Sequence, residues 1–166
     1  YQNIEVCSVA KQLITLISAQ YAKPEYKFEC AKEKLEVIGD PGTLKQALMN
    51  VMVNSAQAIE DKGFIKLSII ANDNDIAFKI LDSGCGITEQ NLKRIFEPFF
   101  TTKPEGQGQG LGLSVAYTAI EKHQGKVSIS SKEGKGTVVQ ITIPKSPPQS
   151  SSTDNSEPAT EAHSMR

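Results

Sequence analysis

The chain has 166 residues, with 18 Lys and Arg against 19 Asp and Glu, for a formal net charge of −1. That length suits one domain with a real core. The charge balance excludes a broad basic surface for nucleic acid or for an anionic membrane, so any phosphate site has to come from local geometry. The three cysteines, Cys7, Cys30 and Cys85, are odd in number and lack CxxC spacing. This argues against a disulfide framework or a zinc site and for a reducing, cytoplasmic compartment. No apolar run approaches a membrane span. The chain opens on Tyr1 without a signal peptide and reads as an excised, monomeric fragment, which leaves room for a membrane anchor in its parent.

In chain order, Val6, Val9, Ala10, Leu13, Ile14, Ile17 and Tyr21 follow the spacing of an amphipathic helix closed by Pro24. Strands are expected at about 27–31 and 35–38. Asp40-Pro41 is an N-cap followed by proline at the first helical position. Leu44, Ala47, Leu48, Val51, Ser55 and Ile59 carry this second helix to about Asp61, and Gly63 ends it. Phe64–Ala71 and Ile76–Leu81, joined by Asn72-Asp73-Asn74-Asp75, read as a hairpin. A short helix is expected over Glu89–Ile95 and a third long one from Leu111 to His123, capped by Gly125. Strands Lys126–Ser131 and Thr137–Ile143 close the folded part at about residue 145. The Ser- and Pro-rich 146–166 has little to bury and reads as a disordered tail. The sum is an α+β domain, a two-layer sandwich with helices on one face of a mixed, mostly antiparallel sheet.

Three features carry chemistry. Asn50 and Asn54 stand one turn apart on the second helix, roughly 100–120° from the centre of its apolar stripe. An asparagine oxygen there suits Mg²⁺, although two half-exposed helix asparagines need no ligand. Asp82-Ser83-Gly84-Cys85-Gly86 follows a strand. Its carboxylate can accept an adenine amino hydrogen, and its glycines allow positive φ; a plain turn has the same composition. Gly106-Gln107-Gly108-Gln109-Gly110-Leu111-Gly112-Leu113 runs into a helix, where bare amides and the helix dipole favour phosphate. It is neither the lysine-bearing phosphate loop nor a dinucleotide fingerprint.

The order of these motifs, with Phe96-Glu97-Pro98-Phe99-Phe100-Thr101-Thr102-Lys103 between the second and third, resembles the ATP-binding domain of sensor histidine kinases. This is the Bergerat-fold group, to which DNA gyrase B and the MutL repair proteins belong. The resemblance runs from Ile4 to Pro144. It implies ATP and Mg²⁺ as ligands, with Asn54 as the magnesium asparagine and Asp82 as the reader of adenine. It further implies that Gly84, Gly86, Ala58 and Ile87 shape the adenine site and that Thr137 lies beside the base. Lys103 would reach a phosphate, and Gly108, Gly110, Leu111, Gly112 and Leu113 would wrap the triphosphate. Glu97–Gly110 would be a mobile lid. Gln57 departs from the Lys or Arg many members carry three residues after the magnesium asparagine, and Gln109 replaces a threonine; the wording is similar to kinases of nitrogen regulation.

Asn50 separates activities on this fold. Hydrolases of the group, and the related serine kinases of sporulation control, are similar in carrying glutamate there, a general base that asparagine cannot be. The resemblance therefore implies a kinase that holds ATP for a protein histidine, with Asn50, Asn54 and Lys103 in the transfer machinery. Gyrase-like hydrolysis and a nucleotide-gated binding module are the competing readings. His123, at a helix end, reads as structural and favourable to the dipole when charged. Neither it nor His163 is followed by an acidic residue. The acceptor is expected on a dimerisation and phosphotransfer hairpin of the same parent, which would pass the phosphoryl group to a response regulator receiver domain.

Overall fold

A computed structural model describes residues 1–102 and 112–147. The elements are β1 (Gln2–Glu5), α1 (Val6–Gln20), β2 (Glu25–Cys30), β3 (Glu36–Gly39), α2 (Pro41–Gln57), β4 (Phe64–Ala71), β5 (Asp75–Asp82), α3 (Glu89–Leu92), α4 (Gly112–Lys122), β6 (Lys126–Lys132) and β7 (Gly136–Pro144). The main sheet has the order β2-β4-β5-β7-β6, and β1 pairs with β3 apart from it. Only β2 and β4 run parallel; the other pairs of the main sheet are antiparallel.

The central strands alternate, apart from Ala77, which is buried between Ile76 and Phe78. Ile65, Leu67 and Ile69 of β4, Ile76, Phe78 and Ile80 of β5, and Val139, Ile141 and Ile143 of β7 are all buried against the helices. Cross-strand register aligns them into rows, Ile69 opposite Phe78 opposite Ile141 and Leu67 opposite Ile80 opposite Val139. The intervening Lys79 and Gln140 face solvent. α1 supplies Val6, Ala10, Leu13 and Ile17, and α2 supplies Leu44, Leu48 and Met52. Each of these side chains larger than Ala10 contributes about 1.5–3 kcal/mol by its burial. This is the two-layer α+β sandwich expected from the sequence. Among the described residues no helix is long and apolar enough to cross a membrane.

The caps are local chemistry. Glu5 receives the Cys7 and Ser8 amides at 3.0 and 2.8 Å and starts α1. Asp40 receives the Gly42 amide at 3.1 Å and the Thr43 hydroxyl at 2.6 Å and starts α2. His123 braces this second start. Its Nδ1 donates to the Ala119 carbonyl at 2.8 Å, and its Nε2 accepts the Asp40 amide at 3.0 Å. Gly39 permits the approach, because a Cβ there would lie 2.7 Å from the imidazole.

Four expectations change, and one strand was not expected. Four-residue β1 carries no alternating pattern; it pairs with the distant β3 and buries Ile4 in the core. The second helix ends at Gln57 rather than Asp61, because the Ala58 carbonyl turns to accept the Cys85 amide at 3.0 Å. The third helical segment stops at Leu92, with Ile95 buried from the turns that follow. Cys7 and Cys30 are joined in a disulfide, their Cα atoms 6.4 Å apart, and Cys85 is free. The odd count excluded a full framework but not one pair made by packing α1 beside β2. His123 is structural, but its bonding is that of the neutral ring, because Nε2 accepts rather than donates. The tail from 148 and residues 103–111 lie outside the described residues.

The brace has a measurable consequence. His123→Leu comes close to keeping the volume but strands the Asp40 amide at the head of α2, with an expected loss of roughly 1–3 kcal/mol in urea unfolding. An unchanged midpoint would contradict the brace.

Candidate functional site

A cleft of about 510 Å³ opens between α2, the head of α4 and the adjoining ends of β5 and β7. Its walls are mainly apolar, with Val51, Ile87, Leu113 and Val139 among them. A few polar groups converge on it, the usual composition of a small-molecule site.

Asp82 is one of these groups. The pleat that buries Ile76, Phe78 and Ile80 puts the fourth member of the row, Asp82, on the same helix-facing side. It is only 3% exposed. The carboxylate accepts the Gly84 amide at 2.9 Å. Burial pushes its pKa above the ordinary value, and Gly84, Ser55 and Thr137 beside it oppose that rise.

The turn after Asp82 is held on both sides. A Cβ on Gly84 would lie 2.7 Å from the Ala58 side chain and 2.9 Å from the Asp82 carboxylate. Gly86 has φ of 73°, and a Cβ there would collide with the Lys132 carbonyl. The Gly134 amide donates to the Cys85 carbonyl at 2.7 Å, which clamps the turn to the β6–β7 hairpin. Thr137, at the base of that hairpin, is 8% exposed, and its Oγ1 is 2.7 Å from Ser131 Oγ. Ser131 Oγ also accepts the Ile87 amide at 2.8 Å.

The opposite end of the cleft is the seam between α2 and α4. Asn50 and Asn54 are half-buried there. A Cβ on Gly112 would sit 3.9 Å from Asn54 Nδ2 and 4.0 Å from Asn50 Cβ, so the first turn of α4 faces both. The unpaired amides of a helix start favour an anion at this end. Among the described residues that line the cleft, Asp82 is the sole carboxylate, and no Lys or Arg joins it.

The structure thus brings Asn54, Ala58, Asp82, Gly86, Ile87, Gly112, Leu113 and Thr137 to one cleft. Gly84 lies behind its wall and Asn50 at its seam. Lys103, Gly108, Gly110 and Leu111 fall outside the described residues, as does most of the expected lid. Gln57 is tied to the rim, its Nε2 donating to the Tyr21 hydroxyl at 3.1 Å. The phenylalanine motif leans on α4, with the rings of Phe96 and Tyr117 5.0 Å apart and Arg94 stacked 4.6 Å over Phe100. Sequence reasoning missed Ser55 and Ser131 as members of the site. Ser55 left a signal, a hydroxyl within an otherwise apolar stripe.

The donor set fits Mg²⁺ of one kind only. Among the described residues there is no carboxylate cluster to cage a bare ion. A neutral Asn54 oxygen beside a helix start fits an ion that arrives with phosphate oxygens and keeps waters.

Asp82 sets a pH test of stability. Its folded pKa is raised, so the unfolded chain releases this proton first as pH rises above the ordinary value of 3.8. Stability from this group therefore falls as pH climbs from 3.8 through the raised value. Asp82→Asn removes that loss. Its stability relative to the native chain should rise by up to about 1.4 kcal/mol per pH unit across this window and then level off, as read by urea unfolding between pH 4 and 7. A constant difference would contradict the buried ionised carboxylate.

Residues 39–147 match the family described as histidine kinase-, DNA gyrase B-, and HSP90-like ATPase. The chain is 37% identical over 147 residues to sporulation kinase E of Bacillus subtilis (strain 168), covering 87% of this chain and 20% of that protein. It is 32% identical over 145 residues to sensor histidine kinase ZraS of Escherichia coli (strain K12), covering 86% and 31%. It therefore spans between a fifth and a third of these relatives' lengths. The solved catalytic domain of histidine kinase ThkA superposes with a TM-score of 0.79 at 30% identity, covering 88% of this chain and 98% of that one. ThkA in complex with response regulator protein TrrA gives 0.76 at 28% identity, covering 89% and 42%. With its glycine-braced carboxylate cleft and its agreement with these proteins, the chain belongs to the histidine kinase-, DNA gyrase B-, and HSP90-like ATPase family.

Proposed function

We propose that this chain is the catalytic domain of a sensor histidine kinase, binding ATP with Mg²⁺ and transferring its γ-phosphate to a histidine on a separate helical hairpin of the same parent. The observation that carries this reading is the placement of charge. The one carboxylate lining the described cleft is buried at the end of β5, and the seam between α2 and α4 holds asparagines. Asp82 then serves to recognise the base, and among the described residues that line the cleft no second carboxylate stands beside the helix start where phosphates bind.

The residues divide the work. Asp82 accepts the adenine amino hydrogen in a pocket shaped by Ala58, Gly84, Gly86, Ile87 and Thr137. Gly112, Leu113 and the preceding Gly108, Gly110 and Leu111 hold the phosphates through backbone amides, with Lys103 as a cationic partner. Asn54 contributes an oxygen to Mg²⁺, which supplies charge neutralisation on the triphosphate when bound. Asn50 occupies the general-base position without taking a proton, so water is not activated. The acceptor imidazole is already nucleophilic near neutral pH. Its nitrogen bonds to the γ-phosphorus as the bond to the bridging oxygen breaks and ADP leaves. Positioning supplies most of the rate.

We assign catalysis to residues 1–145 and a tail role to 146–166, in the cytoplasm, where ATP is available. The downstream partner is a receiver domain, a reading supported by the complex of the similar ThkA with TrrA.

Calorimetry is expected to show Mg²⁺-dependent binding of ATP and ADP and at least tenfold weaker binding after Asp82→Asn. Equal affinity for ATP and GTP would remove the base-reading assignment. With labelled ATP, the chain alone is expected to gain no acid-stable label and to hydrolyse ATP negligibly. Added to its histidine-bearing hairpin it should label that histidine, and Asn54→Ala should reduce the labelling at least a hundredfold. Brisk hydrolysis by the chain alone would favour a gyrase-like ATPase.

A further inference from the structure

Cys7 lies in the first turn of α1, and Cys30 ends β2, the edge strand of the main sheet whose partner is β4. Cys7 is 3% exposed, whereas Cys30 is only partly buried. The connection from β2 to β3 is held at both ends. The Ala31 amide donates to the Ile69 carbonyl at 3.0 Å, and the Leu35 carbonyl accepts the Val6 amide at 2.9 Å. Both sulfurs stand at the root of this loop. The Lys32 carbonyl oxygen is 3.5 Å from Cys7 Sγ and 3.1 Å from Cys30 Sγ. Further along, the Lys11 ammonium lies 6.0 Å from the centre of the Phe28 ring, and the Tyr26 hydroxyl donates to the Tyr21 carbonyl at 2.7 Å. These contacts hold α1 beside β2 without help from the sulfur bond.

One backbone therefore serves both oxidation states. The Cα atoms, 6.4 Å apart, are within the span of a disulfide. With the bond open, the Lys32 carbonyl offers each thiol an acceptor. Lasting disulfides belong to oxidising compartments, and among small thiols an accessible one is opened and reclosed by exchange. Access is one-sided, because an outside thiolate meets Cys30 and not the buried Cys7. Cys7 is then the leaving group. The start of α1 favours its thiolate, against the Glu5 carboxylate that caps the same turn. The free Cys85 lines the nucleotide cleft instead.

Given the cytoplasmic placement above, we propose that Cys7 and Cys30 are a reversible thiol–disulfide switch, which fastens the head of α1 to the edge strand β2 when oxidised and releases it when reduced. The co-reactant is a small thiol with its disulfide, represented by glutathione. On opening, a glutathione thiolate bonds to Cys30 Sγ as the Cys7–Cys30 bond breaks, and its electron pair leaves on Cys7 Sγ. A second glutathione thiolate bonds to the sulfur of the first, and the Cys30 thiolate leaves. The two cysteines take up the two protons that the glutathiones gave up. The protein gains two electrons, and one glutathione disulfide forms; closing is the reverse. Neither cysteine lines the nucleotide cleft, so the switch acts on the stability of the domain and not on the nucleotide site.

The test equilibrates the chain, free of oxygen, in glutathione buffers from fully reduced to fully oxidised. Free thiols are then blocked with iodoacetamide under denaturing conditions and mapped by mass spectrometry, and parallel samples are melted. In excess reduced glutathione both Cys7 and Cys30 should carry the label. In glutathione disulfide they should pair with each other, and Tm should rise by about 10 °C, the shift expected for a cross-link closing a loop of this length. Cys7→Ser should trap glutathione on Cys30, Cys30→Ser should leave Cys7 unmodified, and neither variant should show the rise. A native pair that stays closed in reduced glutathione, or stays open in the disulfide, overturns the switch and leaves the nucleotide reading intact. An oxidised pair with an unmoved Tm overturns it equally.

Discussion

A carboxylate buried at the end of an apolar strand row is a costly arrangement that only surrounding donors make tolerable. The pleat of β5 gives Asp82 no other direction to point, since Ile76, Phe78 and Ile80 fix which face is inward. Much of the neighbouring structure answers to that constraint. The Gly84 amide donates to the carboxylate at 2.9 Å, and Ser55 and Thr137 line the cleft beside it. Gly84 is small enough to let the turn pass under Ala58, and Gly86 takes a positive φ beside Lys132. The fold thus holds a fixed polar spot inside its core, which is what a preorganised recognition group requires.

The other end of the cleft is built from helices rather than strands. α2 presents Asn50 and Asn54 toward the first turn of α4, and His123 at the far end of α4 is bonded to the head of α2. The two helices are therefore tied at opposite ends of α4, by a histidine brace at one and around the cleft at the other. Phe96 leans on Tyr117 of the same helix, so the segment that enters residues 103–111 is anchored to it as well. Base recognition and phosphate binding fall to different layers of one domain, with the cleft as their common boundary.

Much of this was legible in the sequence. Caps such as Asp40-Pro41, the period-2 rows of β4, β5 and β7, and the glycine turn after Asp82 are local signals, and each produced its element. The ordered motifs marked most of the cleft for the same reason. What stayed hidden depends on distant partners. β1 exists because β3 lies beside it, and the Cys7–Cys30 pair because α1 packs against the end of β2. α2 ends early because a turn 27 residues downstream captures the Ala58 carbonyl. Ser55 was visible as an oddity in an apolar stripe, but only the fold places it on the cleft beside Asp82.

The central claim is that the base of an adenine nucleotide sits against Asp82 and its phosphates against the head of α4. Amide chemical-shift mapping tests it directly, by titrating the chain with adenosine and with Mg-ADP. Adenosine should perturb Gly84, Ile87 and Thr137, and Mg-ADP should add Asn54, Gly112 and Leu113. Perturbations confined to the outer face of the sheet, or the same amides shifting with both ligands, would contradict the account.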